Sequence, residues 1–241
     1  MMISMITYRI IPFLNLDEPR EPYFNPGSEW VRDAVKGLMH RNSAMLKEQG
    51  VDTSRFHNHD EQTSQNKPGY PLIIYHYTGG QFLVTGINEG AYALSQLMAL
   101  YPGPVKVSHQ MMVYFSMLKE SNQEIEAVAE PVIYQLHNYL PLNAGLHREF
   151  ESAGAMRKMA MLEEAISKHL EKDMFKYLGI DLPVPEISLI DIPAIEPRRQ
   201  TYKNHQYLAF NLKFSVGLLL PDYLTLGNGK AFGYGILEKV V

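Results

Sequence analysis

Two histidines one residue apart, His57 and His59, lie in a polar run that reads VDTSRFHNHDEQTSQNKPG over residues 51–69. Imidazole is the side chain whose ordinary pKa lets it exchange protons near neutral pH. A pair this close can divide the work of acid–base catalysis. One ring takes a proton from an attacking hydroxyl and the other gives one to a leaving oxygen. With a ribose 2′-hydroxyl as the nucleophile, that is cleavage of a phosphodiester. Lys67 and Tyr70, at the far end of the same run, could steady the charge that gathers on the phosphate. His57, His59 and Asp60 would also suit a metal ion, although no other position has ligand spacing. His76, the next histidine along the chain, falls in a strand pattern. A solvated loop with incidental histidines is the third reading. The residues alone leave all three open.

The last stretch of the chain, PDYLTLGNGKAFGYG, places glycines at 227, 229, 233 and 235 around Lys230. Glycine permits close backbone approach and positive φ, and successive N–H groups in such a loop can face phosphate oxygens. Lys230 adds a point charge. The spacing matches neither G-x-x-x-x-G-K-[ST] nor a G-x-G-x-x-G that opens a helix, so a tight hairpin explains it equally well. From residue 198 onward Lys and Arg (198, 199, 203, 213, 230, 239) outnumber acids (222, 238) by six to two, within a chain whose net charge is −4. A polyanion would therefore meet this end, at Arg198, Arg199 and Lys203 (with His205 beside them) or at the glycine loop. The other reading of that basic cluster is a solvated turn before a strand. His40, His109, His137, His147 and His169 are scattered and read as surface or core residues.

The elements that must hold these residues follow from periodicity. The chain of 241 residues is 46% hydrophobic and 20% charged, which is a folded composition, and it has no cysteine. Disulfide frameworks and thiolate metal sites are thereby excluded. No apolar run reaches the length of a membrane span, and residues 1–14 read as a strand rather than a leader, giving a cytoplasmic expectation. A strand over 8–14 is followed by an acidic, proline-containing loop over 17–26. A helix then runs from Ser28 to about Gln49, with Val31, Ala34, Val35, Leu38 and Met45 inward. Strands over 70–77 and 81–87 form a hairpin about Gly79-Gly80. Asn88 caps a second helix that turns Ala91, Leu94, Ser95 and Met98 inward, and an extended stretch covers 105–118. Strand, helix, strand, strand, helix, strand is the order of a ferredoxin-like unit.

In the second half, 131–139 reads as a strand. A helix over 155–178 turns Met159, Leu162, Ile166, Leu170, Met174 and Tyr177 inward. Residues 187–195 are extended, 208–220 alternate cleanly, and 235–241 form a last strand. The expectation is an α+β chain of tandem ferredoxin-like (RRM-like) domains, the second less regular. Residues 1–120 carry the histidine loop and 121–241 the glycine-rich loop.

Two stretches together resemble a known family. LAFNLKFSVGLLLPDYLTLGNGKAFGYGIL is similar to the terminal glycine-rich motif of the CRISPR repeat-processing endoribonucleases, the Cas-six group of RAMP proteins. HNHDEQTSQNKPGYPLIIYHYTGGQFLVTGINEGAYAL resembles the amino-terminal domain of their "b" branch, and YLPLNAGLHREF fits that branch too. The resemblance implies metal-independent cutting of CRISPR precursor RNA within its repeats, with no cofactor, leaving 2′,3′-cyclic phosphate and 5′-hydroxyl ends. It maps the family's catalytic histidines onto His57 and His59 and its tyrosine onto Tyr70. It maps the RNA-facing loop onto Gly227, Gly229, Gly233 and Gly235. The partner it implies is CRISPR repeat RNA, with other Cas proteins of an effector complex and a second copy of the chain as further candidates. A repeat-binding module that does not cut, or a phosphohydrolase using a metal on His57, His59 and Asp60, is the alternative.

Overall fold

The computed structural model describes residues 2–14, 28–56, 69–107, 111–190, 197–202 and 205–240. The 17–26 loop, His57, His59, Asp60, Lys67 and Lys203 lie outside them. By its internal contacts the chain divides into two compact units: Ile3–Gln123 with Ala231–Gly233, and Met1–Met2 with Glu124–Lys230 and Tyr234–Val241.

The first unit runs β1 (Met2–Leu14), α1 (Ser28–Arg41), α2 (Ser43–Glu48), β2 (Ile73–Thr78), β3 (Gln81–Ile87), α3 (Glu89–Ala99), β4 (Val105–Lys106) and β5 (Met111–Glu124). Its sheet has the order β2-β3-β1-β5-β4, the ferredoxin-like arrangement with β4 added at one edge. The 105–118 stretch is therefore two antiparallel strands and not one. Gly79 and Gly80 both have positive φ (55° and 74°), as a two-residue hairpin turn requires. Helices α1 and α3 bury Val31, Val35, Leu38, Leu94 and Leu97 among Ile6, Ile10, Ile73 and Val84. Trp30, in the first turn of α1, meets the Phe82 ring edge-on at 5.2 Å, a packing contact.

The helix expected to run unbroken to residue 49 breaks at Asn42, whose amide donates back to the Leu38 carbonyl at 2.9 Å. After the break Leu46 is fully buried while Met45 is 47% exposed, so the inward position differs from the one that unbroken periodicity gives. Asn88 precedes α3 but does not cap it with its side chain. Its Oδ1 instead accepts the Ser4 N–H at 3.1 Å, tying the helix start to β1. On α3, Ala93 and Leu97 join the buried face, and Ser95 is only half-buried with its hydroxyl on the Tyr92 carbonyl. Gly90 packs so closely that a Cβ there would lie 2.1 Å from the Leu72 carbonyl oxygen.

The second unit runs β6 (Glu126–Tyr139), α4 (Ala144–Ser152), α5 (Ala155–Lys168), β7 (Ser188–Ile190), β8 (Arg198–Tyr202), β9 (His205–Leu219) and β10 (Ile236–Lys239). Its sheet order is β10-β6-β9-β7, with β8 paired to β9 off that path. Counting the four strands of the path as first to fourth along the chain gives the same order as in the first unit. The second crossover helix is replaced by the glycine-rich segment, which is what makes this unit less regular. The alternation over 208–220 buries Leu208, Phe210, Leu212, Phe214, Val216, Leu218 and Leu220.

Two features of this unit depart from the sequence expectation. Helix α4, capped by Asn143 Oδ1 on the Leu146 N–H at 3.2 Å, is additional. Beyond α5 the helix continues as a π-helical stretch over His169–Phe175 before a last turn ending at Gly179. The wider turn shifts the inward face by one residue. Phe175 and Leu178 are buried where periodicity placed Tyr177, which is 46% exposed, and Met159 is only half-buried.

Candidate nucleic-acid interface

The histidine segment leaves and re-enters the first unit at two anchored points. At its start, residues Thr53–Phe56 form a 3₁₀ turn. Asp52 holds that turn through the Ser54 N–H (3.0 Å) and the Arg55 guanidinium (3.1 Å), and Arg55 also pairs with Glu89 at the start of α3. The Phe56 ring is buried, and its carbonyl accepts the Tyr75 hydroxyl of β2 at 3.2 Å. At its end Tyr70 is buried, 6% exposed, just before β2. Residues 57–68 therefore span between a fixed turn and a fixed strand, and their own placement lies outside the described residues.

Beside the re-entry strand stands a buried polar column. His76 Nε2 meets Thr85 Oγ1 at 3.1 Å, and Thr85 Oγ1 meets Thr7 Oγ1 at 3.0 Å. His76 is wholly inaccessible, and burial lowers its pKa from 6.5 to about 3. Its ring is neutral throughout the neutral range and is not suited to proton transfer there. The consequence for stability has a definite sign. Below pH 6.5 the unfolded chain takes up a proton that the folded chain refuses. The stability present at pH 7 is therefore lost as pH falls from 6.5 toward 3. Between pH 7 and pH 5 the loss amounts to roughly 2 kcal/mol, since each pH unit below 6.5 costs about 1.36 kcal/mol. We expect urea unfolding of His76→Gln to lack that share of the wild-type loss. Equal losses in the two proteins would mean that the ring accepts a proton in the folded state.

The four loop glycines all lie in the left-handed region, with φ of 85°, 71°, 73° and 67° at Gly227, Gly229, Gly233 and Gly235. Much of the need for glycine is internal to the fold. A Cβ on Gly227 would lie 2.8 Å from the Leu140 carbonyl oxygen and from the Tyr139 ring, and one on Gly229 would lie 2.7 Å from the Tyr234 ring. On Gly235 it would lie 2.0 Å from the Leu226 carbonyl oxygen. The loop seats in a bulge of β6: the Gly235 N–H donates to the His137 and Asn138 carbonyls at 2.9 and 3.2 Å, and Asn138 itself has positive φ. Lys230 is paired with Asp173 at 3.0 Å, and its side chain is 15% exposed.

Arg198 and Arg199 lie on β8, opposite Ala209 and Leu208 of β9, and not in a turn. Arg199 is largely exposed and pairs with Glu151 of α4 at 2.8 Å. Gln200, the next residue, donates to the Tyr234 hydroxyl at 3.3 Å. A side chain of the basic strand thus meets one from the end of the glycine loop.

Sequence reasoning missed a group around His169. Its Nδ1 lies 2.7 Å from the Tyr139 hydroxyl, and burial lowers its pKa to about 4. Thirty residues separate the two partners, so no local spacing could have revealed the pair. Among the described residues no cluster of three or more His, Asp or Glu is placed to hold a metal ion, and no helix is long and apolar enough to cross a membrane.

Two successive α+β units whose sheets share one strand order define a tandem ferredoxin-like protein. The chain belongs to the Cas6b family. The Cas6b N-terminal domain matches residues 38–124 and the Cas6b C-terminal domain matches residues 126–240. The fold is similar to that in a crystal structure of Cas6b (15% identity, TM-score 0.70) and in one of the CRISPR RNA processing endoribonuclease Cas6b (14% identity, TM-score 0.61), each with 100% of both chains covered. It is also similar to a CRISPR associated protein Cas6 (13% identity, TM-score 0.51), with 100% of this chain and 99% of that one covered. No curated protein matches the sequence.

Proposed function

We propose that this protein is an endoribonuclease that processes CRISPR precursor RNA, cutting within each repeat without a metal ion. The observation that carries the reading is the match to both Cas6b domains across residues 38–124 and 126–240. The first of these spans includes the histidine pair. In the reaction, a base withdraws the proton of the ribose 2′-hydroxyl at the cut. The 2′-oxygen bonds to the adjacent phosphorus, and the bond from phosphorus to the 5′-oxygen breaks. An acid delivers a proton to that oxygen. The products are a 2′,3′-cyclic phosphate and a 5′-hydroxyl. His59 is the principal catalytic histidine and His57 its partner, with Lys67 and Tyr70 supporting the charged phosphate.

Repeat RNA is held chiefly by the 121–241 domain, through Arg198, Arg199, Lys203, Lys230 and the loop of Gly227, Gly229, Gly233 and Gly235. Domain 1–120 supplies the chemistry. The protein works in the cytoplasm, where other Cas proteins of an effector complex or a second copy of the chain would meet it.

End analysis tests this reading. Cleavage of the cognate repeat RNA in excess EDTA should give a downstream fragment that polynucleotide kinase labels directly, because its 5′ end is a hydroxyl. A fragment that needs phosphatase first, or cutting that stops with the chelator, would favour a metal-dependent phosphohydrolase. Tight binding with no cutting would favour a repeat-binding module.

A further inference from the structure

Between α4, the outer side of α5 and the glycine loop lies a cleft of about 370 Å³. That is at the small end of ligand-pocket sizes, about 300–1,000 Å³, and suits one nucleoside better than a length of chain. Its apolar lining includes Leu142, Leu146, Met161 and Ala165. Its polar groups include His169 and Asn228. The Tyr139 hydroxyl at Nδ1 and the low pKa keep His169 neutral, which suits its remaining nitrogen to hydrogen-bonding with a neutral partner. Asn228 donates through Nδ2 to the Leu140 carbonyl at 3.1 Å, which orients the amide and leaves Oδ1 as an acceptor.

The charges around the cleft cancel. Glu149 is bound to Arg157 at 2.7 Å and Asp173 to Lys230 at 3.0 Å. Glu164 stands one helical turn from Lys168, at the i,i+4 spacing where opposite charges support each other. Three cations (Arg157, Lys168 and Lys230) against three acids (Glu149, Glu164 and Asp173) leave the cleft without a net charge to draw a phosphate. An uncharged heterocycle would find apolar side chains with hydrogen-bonding groups beside them. The adjoining π-helical stretch over His169–Phe175 is a feature often found at functional sites.

We infer that this cleft takes a single unstacked nucleobase of the bound RNA, read by His169 and, from within the glycine loop, by Asn228, in addition to the contacts proposed above. Sequence-specific recognition of RNA commonly uses bases splayed out of single strands in this way. The inference rests on the proposal that the protein binds repeat RNA.

The test is a binding cycle on the full chain. The probe is cognate repeat RNA made uncleavable by 2′-deoxy substitution at the cut, with one abasic nucleotide walked through its unpaired positions. One position should stand out, weakening wild-type binding by about 5- to 150-fold, the usual worth of about 1–3 kcal/mol for a stacked base. Ala165→Phe, which fills the slot, should weaken intact RNA to a similar degree and abolish the penalty at that one position. Asn228→Ala should do so in part. The Leu140 carbonyl keeps the backbone N–H of residue 228 at 3.0 Å, so this variant should fold even if Ala165→Phe does not. The inference fails if the cleft variants bind intact RNA as wild type does, or if their losses multiply with the abasic penalty at every position. Wild type that does not bind repeat RNA at all would instead overturn the function on which the inference rests, and the inference with it.

Discussion

Replacing both histidines, His57→Ala with His59→Ala, should lower the rate of repeat cleavage by at least about 10³-fold while RNA affinity changes little. Each proton transfer by a positioned side chain contributes about 10²–10⁴-fold. Residues that act as a unit do not contribute additively, so the double variant should fall little further than the worse single one. Single-turnover cleavage with saturating enzyme separates this chemical loss from binding. His59→Ala alone should account for most of the loss. His76→Gln provides the contrast within the same domain. Its ring is neutral with a pKa of about 3 and is hydrogen-bonded to Thr85, so the shape of the pH–rate profile between about pH 5 and 8 should not depend on it. Near-wild-type cleavage by the double variant would remove the catalytic assignment. A large affinity loss with unchanged single-turnover rate would make these histidines binding residues.

The second large effect is on stability and concerns the glycine loop. Gly235→Ala should destabilise the second unit by about 3 kcal/mol or more. Two costs combine. A left-handed backbone costs a residue with a Cβ roughly 1–2 kcal/mol, and the new Cβ would sit 2.0 Å from the Leu226 carbonyl oxygen. Relief requires the backbone to move. That movement strains the Leu226 N–H to Gly235 carbonyl bond and the Gly235 N–H to His137 carbonyl bond, each 2.9 Å. Gly179→Ala is the control in the same unit. Its φ is 70°, and a Cβ there meets nothing within 4 Å, so only the conformational cost applies. Urea midpoints should separate the two variants by about 1–2 kcal/mol or more. Equal midpoints would show that the loop is held loosely and that its glycines serve only a bound ligand. With Gly235 fixed for packing, the proposed RNA contact by the loop would be made by a preformed surface.

What could be read from the sequence was whatever depends on local periodicity. The alternation from Leu208 to Leu220, the Gly79-Gly80 turn and the order of elements in the first half each arise from neighbours in the chain. The departures have a common character. Asn42 bonds back to Leu38 and breaks a helix, so that Leu46 replaces Met45 in the core. A π-helical stretch adds a fraction of a turn, so that Phe175 and Leu178 replace Tyr177. Both are single-residue phase shifts that a fixed period cannot anticipate. Arg198 and Arg199 read as turn residues because their strand is polar and exposed, and its pairing with β9 is tertiary information. The pairs Tyr139–His169 and Asp173–Lys230 join residues 30 and 57 positions apart, beyond any motif. The histidine segment suggested chemistry by its residue types and not by its shape, and it lies outside the described residues.

In the proposed reaction the 2′-hydroxyl at the cut is the nucleophile, and His57 and His59 move its protons without a metal. The most direct measurement is cleavage, in excess EDTA, of two otherwise identical repeat RNAs, one of which carries a single 2′-deoxy nucleotide immediately upstream of the cut. The expected result is full cutting of the all-ribose RNA and none of the deoxy RNA, with both bound equally well. Cutting of the deoxy RNA would mean that water or another group attacks phosphorus, and the assignment of His57 and His59 to transesterification would be contradicted.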